Sequence, residues 1–113
     1  MTKMTKQLRM RILKDVETFL QEGGLLAKGS TWGTEDTNYG QCVRGALFYV
    51  NSNGSLNNVD SALCNVYDIS YKAINALEAG FEGWNFEVYC GRDFLPVEKQ
   101  FYNLGKFIAK TYM

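Results

Sequence analysis

Apolar residues return at the helical interval in four stretches of this chain, with Gly, Ser, Asn and Asp gathered between them. From Thr5 to Glu22, Leu8, Ile12, Leu13, Val16, Phe19 and Leu20 form one stripe with charge on the other side, the pattern of an amphipathic helix. Gly23 and Gly24 follow the last periodic residue, where a left-handed cap costs glycine least, so the helix is expected to stop there. The second stretch is Asn38 to Asn51. Asn38 can cap and Gln41, three residues on, can complete a capping box, which puts the expected helix start near Tyr39. Val43, Ala46, Leu47 and Val50 lie along one edge and Cys42, Ala46 and Tyr49 along the next, so this helix is expected to be central and packed on more than one side. Gly45 and Ala46 are small enough to let a second backbone approach.

Asn51 to Ser55 is a turn cluster containing an Asn-Gly pair. A third helical region begins near Asn58, where Ala62, Leu63 and Val66 are followed by Ile69, Ala73, Ile74 and Leu77. Asp68-Ile69-Ser70 supplies a fresh cap in its middle, which predicts a short helix, a bend at Asp68 and a longer helix to Glu78 closed by Gly80. In the segment Phe81 to Gly91, Phe86, Val88 and Cys90 alternate with Glu87 and Tyr89, which predicts an extended piece. The fourth stretch carries Val97, Phe101, Leu104 and Ile108, with Tyr112 beyond, Asp93 as its cap and Pro96 in its first turn. Gly24 to Thr37 has neither period and reads as a loop. The expected fold is mainly α: one domain over residues 1–113, four to five helices, and one short strand or hairpin near residues 86–90.

Composition supports a self-sufficient core, since 46% of the 113 residues are hydrophobic and 14% aromatic. Lys plus Arg and Asp plus Glu both count 12, so no net field attracts nucleic acid or an anionic membrane, and general binding to either is not expected. The charges are nevertheless segregated. Lys3, Lys6, Arg9, Arg11 and Lys14 all precede the first acid, Asp15, whereas Glu78, Glu82, Glu87, Asp93 and Glu98 are relieved only by Arg92. A solvated helix face accounts for the basic run; a basic partner-binding surface is the alternative. The N-terminus lacks the apolar core of a signal peptide and no run reaches membrane-spanning length, so a cytoplasmic location is expected.

Candidate chemistry is sparse. Histidine is absent, which removes the usual Ser-His and Cys-His pairs. Cys42, Cys64 and Cys90 are widely spaced with no CxxC pair, so neither a metal site nor any other cofactor is expected. Cys42, two residues before Arg44, reads either as a buried apolar cysteine or as an activated thiol near a helix N-terminus. Trp32 either plugs an edge of the core or presents its flat face to a ligand. Trp32, Tyr39, Arg44, Trp84, Asn85 and Arg92 are the candidate ligand- or partner-binding residues; aromatics with arginines stack on bases and pair with phosphates, and they also anchor protein interfaces.

The QCVRGAL of residues 41 to 47, the GWN of 83 to 85 and the GRD of 91 to 93 before the last helix resemble a family of small bacterial and phage proteins, the domain of unknown function numbered 6197. In that family's pattern a helix ends in a Gly-Gly-Trp-like loop, a C-x-x-G-A-L helix follows, and a W-N-D segment leads into a final helix. Cys42, Gly45, Ala46, Leu47, Trp84 and Asn85 match it, as do Gly23 and Gly24; Phe86 stands where Asp is usual and Leu25 where Trp is commoner. The resemblance implies a helical fold and a phage or bacterial source, and carries no catalytic residue across. The expected function is a small non-enzymatic binding protein, phage-encoded, that binds and inhibits a host protein in defence evasion. The alternatives are a module binding a nucleotide-like ligand and a small enzyme using Cys42.

Overall fold

The computed structural model describes residues 3–29, 40–52, 58–90 and 96–113, the side chains of residues 52, 89 and 90 excepted. Helix α1 (Lys6–Gln21) starts where the Thr5 hydroxyl accepts the Leu8 N–H at 3.0 Å. It ends where Gly23 turns left-handed at φ +93° and the Gly24 N–H returns to the Phe19 carbonyl at 3.0 Å. Its stripe buries Leu8, Ile12, Val16 and Phe19. Full burial of such a side chain contributes about 1.5–3 kcal/mol.

Helix α2 (Val43–Ser52) starts four residues later than its capping signal predicts. Gly40 has φ +78°, and Gln41 is committed elsewhere: its N–H donates to the Leu25 carbonyl at 2.8 Å and its carbonyl accepts the Ala27 N–H at 2.9 Å. These two bonds make an isolated parallel bridge between Leu26 and Gln41 and hold that peptide out of the helical ladder. The first helical bond joins the Ala46 N–H to the Cys42 carbonyl at 2.9 Å. The cap expected from Asn38 lies outside the described residues. Burial is as expected, continuous from Gln41 to Phe48.

Asn58 caps helix α3 (Val59–Tyr67), and Asp68, left-handed at φ 54°, closes it. Ser70 then caps helix α4 (Tyr71–Glu82) by accepting the Ala73 N–H at 3.1 Å, so the bend predicted at Asp68 is present. Gly80, expected to close α4, lies inside it instead. Gly83 closes it at φ +79°, with the Trp84 N–H returning to the Ala79 carbonyl at 2.9 Å. Gly80 is small for a different reason: a Cβ there would collide with the Tyr102 carbonyl oxygen, and one at Gly105 with the Leu77 carbonyl oxygen. The two glycines let α4 and helix α6 (Pro96–Tyr112) approach backbone to backbone.

The strand or hairpin expected near residues 86–90 is a short helix, α5 (Phe86–Cys90). The Asn85 side chain accepts the Val88 N–H at 3.0 Å, and that cap outweighs an alternation too brief to fix a period. The described residues therefore form six helices, and the fold is mainly α. Helix α4 is the most enclosed, buried without a break from Ala76 to Phe81. Helices α1, α2 and α3 are tied by a polar knot: the Tyr67 hydroxyl donates to Asp15 at 2.5 Å, while the Asn51 amide donates to the Tyr67 oxygen at 3.0 Å and the Leu47 carbonyl at 2.8 Å. Burial and the neighbouring Asp15 push the Tyr67 phenol above its ordinary range, which keeps it a donor.

Candidate functional site

Of the six residues singled out from the sequence, Trp32, Tyr39 and Arg92 lie outside the described residues. The other three take separate tasks. Arg44, in the first turn of α2, points inward: its Nη1 meets Asp60 Oδ1 on α3 at 3.2 Å and Asn75 Oδ1 on α4 at 3.4 Å. Asn85 caps α5. Trp84 joins the two turns, with its N–H on α4 and its carbonyl accepting the Tyr102 hydroxyl at 2.6 Å, and its side chain is 42% exposed. The GWN segment is thus a left-handed helix stop, a half-exposed indole and a helix start in succession. Arg44 and Trp84 share no described contact.

Around Arg44 a polar cluster is buried in the core, a feature hidden from periodicity because its members lie on three helices. Glu78 of α4 is 2% exposed, and its Oε1 stands 3.9 Å from Arg44 Nε. The Cys42 thiol and the Arg44 backbone N–H both face the Glu78 carboxyl. Burial raises this carboxyl to about 7, against the weaker pull of the Cys42 thiol and the Arg44 cation, which favour the charged form. Cys42, 1% exposed, is pushed above the ordinary thiol range, first by burial and then by the Glu78 charge. Of Cys42's two readings, the geometry fits the buried one, since a nucleophilic thiol needs a lowered pKa and a path to solvent.

The surface offers a different feature. A groove of about 800 Å³ runs along the outer face of α1, where Met10, Leu13, Lys14, Glu17, Gln21 and Tyr112 of α6 are among its lining residues. Met10 is 59% exposed, and the Tyr112 hydroxyl donates to Glu17 at 3.0 Å, fixing one wall. Sequence reading passed over this face because it follows the buried stripe. The available signal was Met10, an apolar residue that falls off the stripe. Among the described residues no three metal-ligating side chains lie together, and no helix is long and apolar enough to cross a membrane.

No family model matches the chain, and no curated protein or solved structure matches it. The likeness to the domain of unknown function numbered 6197 therefore rests on the short motifs quoted above.

Proposed function

We propose that this protein acts by binding another protein through the outer face of α1, without catalysis of its own. The observation that carries the reading is the groove of about 800 Å³ beside the exposed Met10. A flexible thioether on an open apolar floor adapts to a partner's side chains. Charge placement supports the same face, since Arg11 and Lys14 are among the residues that line the groove. An acidic edge on the partner would answer them.

On the motif resemblance, the proposal extends to a phage accessory protein that inhibits a host protein in the host cytoplasm. Affinity capture from extract of the cells in which the chain occurs, repeated with Met10→Glu and Trp84→Ala, tests the binding. A species retained by wild type and Trp84→Ala but lost with Met10→Glu supports the α1 face. Equal recovery by all three contradicts it. The inhibitor reading further requires that the captured protein lose activity as wild-type chain is added. Binding of a nucleotide-like ligand is the competing proposal, and a thermal-shift screen separates it: a nucleotide at one hundred times its dissociation constant would stabilise the fold by about 2.7 kcal/mol.

A further inference from the structure

The outer face of α1 carries a symmetry of its own. Met10, Lys14, Glu17 and Gln21 are exposed and recur at intervals of four, three and four, the spacing that keeps one seam of a helix turned toward a partner, and Leu13 and Thr18 flank them in the groove. Read in reverse about a point midway between Lys14 and Glu17, the six residues map onto one another: Met10 onto Gln21, Leu13 onto Thr18, Lys14 onto Glu17. A second α1 laid antiparallel across the first, about a twofold axis through that midpoint, therefore meets each of the six with another of the six. Lys14 then stands against Glu17 of the second copy, and Glu17 against its Lys14.

We propose that the α1 groove takes a second copy of this chain, docked antiparallel, α1 to α1, with Lys14 of each copy paired to Glu17 of the other.

The inference rests on the reading of the α1 face as a docking surface, and it names the acid that the groove's cation meets. Arg11 is already committed within its own chain, donating to the Val66 carbonyl at 2.9 Å and lying over the Tyr67 ring. Among the described residues no carboxylate pairs with the Lys14 ammonium, so that charge is left for a partner. Glu17, one turn on, is held by the Tyr112 hydroxyl at 3.0 Å, which keeps an anion at a fixed point of the groove. One presented cation and one oriented anion on the same seam complement a copy of themselves, and a chain of zero net charge adds no long-range repulsion to their approach. A parallel pairing is disfavoured, because it sets Lys14 on Lys14 and Glu17 on Glu17. Extent decides strength: Met10 to Gln21 spans about 16 Å of helix, and a helix pair of that length buries less than the roughly 1,200 Å² at which stable interfaces begin. The dimer is therefore weak and reversible, and another protein that fits the groove displaces it.

Sedimentation equilibrium of the purified full chain over a concentration series tests the pairing, and with no extract present it can fail while capture of a different protein through the same face succeeds. The expected result is a reversible rise toward twice the monomer mass, diminished at about 1 M salt, where charges are screened beyond about 3 Å. Lys14→Glu alone and Glu17→Lys alone should each stay monomeric, the one seam all acidic and the other all basic. Mixed in equal amounts, the two should associate again, because each offers the charge the other lacks. A wild-type chain that is monomeric at every concentration, a dimer that either variant retains, or variants that ignore each other on mixing overturns the pairing. If Glu17→Lys fails to fold for want of the Tyr112 bond, Lys14→Glu decides: loss of the dimer supports the pairing and its survival contradicts it.

Discussion

Cys42 and Glu78 show how the same residue types change character with place. Burial is the largest cause in both cases, pushing the thiol toward protonated and the carboxyl toward neutral. Cys42 should therefore resist iodoacetamide in the folded chain at pH 8 and react freely in urea, followed by mass spectrometry; rapid native labelling would return it to the list of candidate nucleophiles. For Glu78 the sign follows from linkage. The folded chain holds this proton up to about pH 7, while the unfolded chain releases it near its ordinary value of 4.5, so between these limits the unfolded state binds fewer protons. Stability from this group is complete below about pH 4.5 and is lost as pH rises to about 7, by roughly 3 kcal/mol in total. Thermal unfolding of wild type and Glu78→Gln across this range should show the variant gaining on wild type as pH rises. Parallel curves would contradict the assignment.

The joints between helices separate what was legible in the sequence from what was not. The α1 stripe, the helix start near Asn58, the fresh cap within Asp68-Ile69-Ser70 and the break at Asp68 were readable because each depends on neighbours within four residues. The start of α2 was not, because Gln41 bonds to Leu25 and Ala27, some fifteen residues away. Gly80 was misread for the same reason: its partner is Tyr102 on another helix, and a lone glycine looks like a stop until that helix is present. The polar cluster was half legible, since Arg44 stood among the binding candidates while Glu78 was counted only within the acidic run and Asp60 was not singled out. Substitutions should divide along this line. Asn85→Ala removes only a cap and should cost about 1 kcal/mol in chemical denaturation. Gly80→Ala drives a methyl into backbone that cannot swing aside and should cost about 3 kcal/mol or fail to fold. A tolerated Gly80→Ala would mean that α4 and α6 are further apart than described.

At the scale of the whole molecule, the chain keeps its ionisable oddities inside and presents an open apolar groove outside. The proposed mode of action is binding through the shape of that surface, at the face built from α1 and Tyr112. The most direct measurement is site-specific photocrosslinking. A benzophenone amino acid is placed at Met10 in the groove and, in a second variant, at Val88, which is 83% exposed on α5 and serves as an equally accessible control. Each variant is irradiated in extract of the native cells. The prediction is one discrete crosslinked partner from position 10 that position 88 does not give. The same species from both positions, or none from position 10, would contradict binding through this groove.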